Sequence, residues 1–244
     1  MRVGERVYWI GSGILGMNMT DELDCNVYLL DGGSEWAMID TGAGYGVGRI
    51  VEELEKDGFR LDRLRYIALT HAHADHAGGA AEIRRRSGAA IAASELTAAM
   101  VEAADEEAMG LRQAREAGVY PADYSFAPCP ADVKLRGGMK LRVGELTLDV
   151  LMTPGHSRDM AAYYCPELRT LFSGDTVFAR GEIARLSTPD FSLEELRASL
   201  RKLVRLEVES LMPGHMAPVV RDGGLPIRQA LRMFDRDEIP RSLV

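Results

Sequence analysis

The chain has 244 residues, of which 46% are hydrophobic and 27% charged, the proportions of a globular protein with a sizeable core. Its net charge of −8 and pI near 5.2 argue against a nucleic-acid partner, and no apolar run reaches the ~18 residues needed to span a membrane. Cys25, Cys129 and Cys165 are odd in number and form no CxxC pair; with a start that lacks signal-peptide architecture, they lead us to expect a cytoplasmic protein with buried thiols.

Short β-like runs open the chain at 6–10, 25–30 and 35–40, the last two joined by Asp31-Gly32-Gly33-Ser34, a hairpin signal. VGRIVEELEKDG (47–58) places Ile50, Val51 and Leu54 on one helical face and stops at Gly58. YIALT (66–70) reads as a strand that delivers the chain to His71. A helix closing at Gly88 and a strand at 89–93 follow. Residues 94–127 are rich in Ala, Glu and Met and read as two inserted helices, with Pro121 and Pro128 near their end. The β pattern returns at VKL, KLRV, LTLDVLMT, AAYYC and TLFSG. Helices at 192–205 and about 223–234 flank a last strand at 209–214. The basic runs Arg84-Arg85-Arg86 and Arg201-Lys202 read as solvated helix faces. No linker interrupts the chain, so a single domain over 1–244 is expected, with sheets packed on each other and helices outside.

The five histidines carry the chemical signal. Three lie in THAHADHAGG (70–79), and the other two close identical Pro-Gly-His turns at His156 and His215. Asp175, in Ser-Gly-Asp-Thr, follows another strand. All of these residues sit just past strand ends, where a rigid scaffold presents chemistry. His71 and His73 are two apart, so in extended backbone their side chains point the same way. Asp75 and His76 come as the chain turns into a helix and aim elsewhere. One ion cannot easily take all four, whereas two neighbouring ions can: imidazole suits zinc or iron, and a carboxylate can bridge.

HxHxDH, the two Pro-Gly-His turns and the strand-end Asp175 resemble the metallo-β-lactamase superfamily, from Asp40-Thr41-Gly42 through His215. The resemblance implies an α/β fold: an αββα sandwich of two mixed β-sheets flanked by helices, with metals along one edge. It implies that His71, His73 and His156 hold a first metal and Asp75, His76 and His215 a second, with Asp175 bridging. Asp40 would stand behind the ligands. The cofactors implied are two divalent ions, zinc foremost, with iron or manganese as alternatives. The activity implied is hydrolysis by a water activated between them, with Asp75 relaying a proton. No G-x-S-x-G elbow suggests a serine nucleophile instead.

The substrate is narrowed by comparison within that superfamily. Its β-lactamases usually lack the bridging aspartate, which is present here as Asp175. Its homoserine lactonases carry a tyrosine three positions beyond that aspartate, where this chain has Phe178. GDTVFARGEIARL (174–186) is similar to the corresponding segment of hydroxyacylglutathione hydrolases (glyoxalase II), which would set Arg185 against a thiol carrier. Only 29 residues follow His215, too few for that family's glutathione-binding helices. A thioester or ester hydrolase acting on a small-molecule acyl substrate other than a glutathione conjugate is therefore expected. Met100, Met109, Tyr120 and Tyr124 are candidates for an acyl pocket, and loop 16–20 for a cover over it. The alternatives are a lactonase, a phosphodiesterase on the same ions, and an iron-dependent persulfide dioxygenase that needs one metal. The sequence leaves a homodimer open.

Overall fold

The structure, a computed structural model, describes residues 1–188 and 190–243. The first sheet is built from β1 (Val7–Gly11), β2 (Val27–Asp31), β3 (Trp36–Ile39), β4 (Leu64–Ala68), β5 (Ala90–Ser94) and β6 (Val133–Leu135), lying side by side in that order. β1, β2 and β3 pair antiparallel, and β3 to β6 pair parallel. The Asp31-Gly32 signal is borne out as the β2–β3 hairpin: Gly33 N–H donates to Asp31 Oδ1 at 2.8 Å with Gly33 at φ +88°, a conformation glycine adopts without strain.

The second sheet runs in the order β11 (Ser210–Pro213), β10 (Thr170–Gly174), β9 (Ala161–Cys165), β8 (Leu146–Met152), β7 (Lys140–Val143). Its pairs are antiparallel except β10–β11, so both sheets are mixed. Between the sheets lies a core that includes Trp9, Tyr28, Ile39, Tyr163 and Phe172.

Helices cover both outer faces, giving the expected αββα layers. On the first sheet lies α1 (Val47–Lys56), whose Val47, Ile50, Val51 and Leu54 are buried, an i, i+3, i+4, i+7 stripe. α3 (Ala80–Ser87) lies beside it and ends on Gly88 at φ +72°. α6 (Leu193–Leu203) and α7 (Gly224–Phe234) cover the second sheet through Leu200, Leu203, Ile227 and Ala230. Ser192 caps the start of α6, its Oγ accepting from Glu195 N–H at 3.2 Å.

The expected insertion contains two helices, α4 (Glu95–Ala103) and α5 (Leu111–Glu116), shorter than its composition suggests. Ala104 at φ +48° and Gly110 at φ +69° terminate and restart the helix, and 117–132 runs as irregular chain. One boundary bears on chemistry. β4 ends at Ala68, and a four-residue helix, α2 (Ala74–Ala77), starts before Asp75 rather than after His76. Gly78-Gly79 separates α2 from α3. Among the described residues no helix is long and apolar enough to cross a membrane.

Candidate metal centre

All seven sequence-nominated ligands meet along one edge of the sandwich. The β4–α2 connection brings His71, His73, Asp75 and His76. His156 follows β8, Asp175 follows β10 and His215 follows β11. Ligand atoms of His71, His73 and His156 lie within 4.8 Å of one another, as do those of Asp75, His76 and His215. A third such group, His71, His76 and Asp175, joins the first two. Asp175 reaches both sides: Oδ1 is 3.4 Å from His76 Nε2, while Oδ2 is 3.3 Å from His215 Nε2 and 3.6 Å from His156 Nε2. Ligand atoms around one tetrahedral zinc with bonds of ~2.0–2.1 Å stand roughly 3.3 Å apart, so the spacing matches shared coordination.

Outer partners fix which nitrogen each ring presents. Asp40 Oδ2 accepts from Thr70 Oγ1 at 2.8 Å and from His76 Nδ1 at 2.9 Å. Since the Thr70 hydroxyl donates to Asp40, its oxygen accepts from His71 Nδ1 at 3.0 Å. His156 Nδ1 donates to the Ala184 carbonyl at 3.2 Å. In all three rings Nδ1 carries a proton and Nε2 points inward, the usual arrangement behind a metal-bound histidine. His71 Nε2, His76 Nε2 and Asp175 Oδ1 are buried and have no hydrogen-bond partner. Burying such atoms unpaired is costly, and a cation among them removes the cost. The residues fit a metal.

The Pro-Gly-His turns explain themselves sterically. A Cβ on Gly214 would lie 2.1 Å from Asp175 Oδ1 and 2.7 Å from His76 Cε1. A Cβ on Gly155, at φ +143°, would meet the Leu196 backbone at 2.4 Å. Glycine lets one turn approach the ligands and lets the other lie against α6.

Electrostatics divides the rings. Burial holds His71 well below its ordinary 6.5 and lowers His156 to about 4, so both are neutral donors. Burial also pulls on His215, but Asp175 and Asp75 outweigh it and push its pKa up to about 9. Burial opposes ionisation of Asp75 and Asp175, but His76 and His215 hold both well below the usual carboxylate range. Cys25 lies behind His76, and burial pushes its thiol up, so it stays protonated.

Two contributors were not singled out from the sequence. Asp159, buried, accepts from the Ala72 N–H at 2.8 Å and from Thr97 Oγ1 at 2.9 Å, pinning the peptide between His71 and His73. Its place three residues after His156 was the available signal. Tyr120 was noted only for an apolar pocket, yet its Oη donates to Asp75 Oδ1 at 3.3 Å.

The remaining nominated residues are distributed as follows. Asp40 stands behind His76 and Thr70, as the resemblance implied. Phe178 is buried with its ring 6.0 Å from that of His215. Arg185 is exposed, and its backbone N–H donates to Ser242 Oγ at 3.1 Å. A cleft of about 450 Å3 opens beside the ligands, and Met109 and Tyr120 line it. Met100 instead lines a neighbouring groove. Tyr124 packs behind Tyr120, with its hydroxyl on the Ala43 carbonyl at 2.7 Å. From loop 16–20, Met19 packs on the inter-sheet core and Met17 is exposed, while the preceding Ile14 and Leu15 reach the cleft.

Two facing mixed sheets with a histidine–aspartate cluster along one edge define a metallohydrolase fold. The chain belongs to the metallo-β-lactamase superfamily, whose family model matches residues 20–215. It is 32% identical over 132 residues to a hydroxyacylglutathione hydrolase of Rhodopseudomonas palustris, covering 54% of this chain and 40% of that protein. To an atrochrysone carboxyl ACP thioesterase of Aspergillus fumigatus it is 29% identical over 195 residues, covering 80% of this chain and 51% of that one. The chain thus spans about half the length of these curated relatives. Among solved structures, a metallo-β-lactamase of Cronobacter sakazakii superposes with a TM-score of 0.74 at 20% identity, over 97% of this chain and 96% of that one. BJP-1, a subclass B3 metallo-β-lactamase of Bradyrhizobium japonicum, gives 0.71 at 22% identity over 97% and 92%. At such identities these likenesses show the fold alone.

Proposed function

We propose that the protein is a binuclear metal-dependent hydrolase of thioesters or activated esters, with two divalent ions, zinc foremost. One observation carries the reading: two three-residue donor groups converge on Asp175, whose carboxylate reaches His156 of the first group and His76 and His215 of the second, and inward atoms of His71, His76 and Asp175 are left buried without partners. His71, His73 and His156 would hold one ion, and Asp75, His76 and His215 the other. Ions held there would supply Lewis acidity toward a carbonyl and bring the pKa of water toward ~7.

The chain's own residues do the rest. Asp40, Thr70 and the Ala184 carbonyl fix the rings, and Asp159 fixes the backbone between His71 and His73. Asp75 faces the cleft with Oδ2 3.1 Å from His215 Nε2 and Oδ1 accepting from Tyr120. A carboxylate held in its ionised form therefore stands beside a phenol that donates to it. The similarity to proteins named as a thioesterase and a hydroxyacylglutathione hydrolase supports a thioester as the scissile group.

The test combines elemental analysis with kcat/KM for thioesters, homoserine lactones and bis-p-nitrophenyl phosphate. Near two metal equivalents with thioesters or activated esters turned over best is the expected result. One iron per chain with oxygen uptake on a persulfide would instead make the protein a dioxygenase. A tenfold preference for the phosphodiester would overturn the thioester reading.

A further inference from the structure

The cleft beside the ligands is apolar to a degree that ester hydrolysis does not itself require. Its 450 Å3 is within the ~300–1,000 Å3 usual for small-molecule sites. Met109, Leu111 and Val119, from the chain between β5 and β6, line it together with Ile14 and Leu186. No Lys or Arg lines it among the described residues. The charged groups there, besides the nominated ligands, are Glu22 and Asp24. The groove next to it, of about 720 Å3, is lined by Arg112, Arg158, Glu107, Glu116 and Asp190. Cationic side chains therefore line the neighbouring groove and are missing from the lining of this cleft.

The mouth of the cleft sharpens the contrast. Ile14 is 69% exposed and Val119 56% exposed, both as cleft-lining residues. Large aliphatic side chains clustered at the mouth of a concave site are the mark of a surface that something apolar covers. An acyl group ending in a carboxylate would meet Glu22 and aliphatic carbon there, with no cation to pair with.

We propose that this cleft is the acyl subsite, and that it selects uncharged hydrocarbon acyl groups several carbons long over acyl groups with a terminal carboxylate. The bond cleaved rests on the thioester reading; the binding preference rests on the lining alone.

The test separates the two. Hydrolysis-inert ketone analogues, in which CH2 replaces the thioester sulfur of an N-acetylcysteamine conjugate, are titrated calorimetrically into the metal-loaded protein. The series runs from acetyl to octanoyl and includes chains ending in a carboxylate. Kd should fall about fourfold per added methylene, equivalent to ~0.8 kcal/mol, until the cleft is filled. The carboxylate-ended analogue should bind about 100-fold or more weaker than the hydrocarbon of equal length. In Val119→Arg, at an exposed position whose substitution spares the core, the carboxylate-ended analogue should tighten by about fivefold. A Kd independent of chain length, or equal binding of charged and uncharged chains, overturns the subsite. Turnover of the matching thioesters judges the reaction separately. Selective binding without their hydrolysis would leave the subsite in place and overturn the thioester reading.

Discussion

Tyr120 Oη donates a hydrogen bond of 3.3 Å to Asp75 Oδ1, linking irregular chain beyond α5 to the HxHxDH segment. Burial pushes the phenol well above its ordinary pKa, and the Asp75 charge adds to the effect, so it is a proton donor at neutral pH. A donor helps most where the leaving atom is a poor one. Tyr120→Phe should therefore lower kcat for alkyl esters and lactones by about 100-fold, the lower end of general-acid effects, and for thioesters by less than about threefold. The measurement is kcat against leaving-group pKa. Equal losses for both classes would mean that Tyr120 only positions Asp75.

Asp175→Ala should leave the fold intact by circular dichroism while reducing bound metal from two equivalents to one or fewer. A bridging carboxylate offsets the repulsion of two cations held close together. Turnover should fall by about 1000-fold or more, as it does when an electrostatic element of a site is removed. Full metal content with unchanged kcat would reduce Asp175 to a strand-end residue.

Asp40→Asn tests the layer behind the ligands. Its carboxylate accepts from Thr70 N–H at 2.7 Å, from the Thr70 hydroxyl and from His76 Nδ1. An amide supplies one acceptor oxygen and sets N–H against one of these donors. Metal affinity by chelator competition should weaken about 10- to 100-fold, and the metal-free protein should lose about 1–3 kcal/mol of stability. Unchanged affinity would leave Asp40 a turn-forming residue.

Removing the metal should expose an opposed pH dependence. His215, raised to about 9 by Asp175 and Asp75 against burial, stabilises the fold fully below its ordinary 6.5, and that contribution is lost as pH rises through 9. His156, lowered to about 4 chiefly by burial, favours the fold fully above 6.5, and that contribution is lost as pH falls through 4. The Tm of chelated protein should peak near its ordinary histidine value of about 6.5 and decline on both sides. With metal restored, His215 no longer needs its proton and the alkaline decline should vanish. Calorimetric scans with and without chelator check this. A metal-free Tm that climbs from pH 6.5 to 9 would show that His215 is not held between two carboxylates.

Local signals carried most of the fold. Val47, Ile50, Val51 and Leu54 announce α1, Asp31-Gly32 announces its hairpin, and the histidine-bearing turns all lie past strand ends. Tyr120 was legible as a pocket residue and illegible as a partner of Asp75. It lies outside any regular element, two residues beyond Gly118 at φ +75°, and only tertiary packing sets its direction. Met100 and Tyr124 show the same limit. Composition placed them near the cleft, but the short α4 and α5 turned Met100 to the next groove and Tyr124 behind Tyr120. Asp159 escaped because nothing local says that its carboxylate reaches the backbone at Ala72, 87 residues away.

The nominated ligands all lie in four connections, those leaving β4, β8, β10 and β11, while the aliphatic wall comes from 14–15, 109–119 and Leu186. Changes of side chain in the second set need not move an atom of the first. A lineage carrying this scaffold can thus exchange one diet for another by small mutational steps, its reactive edge inherited unchanged while the wall drifts.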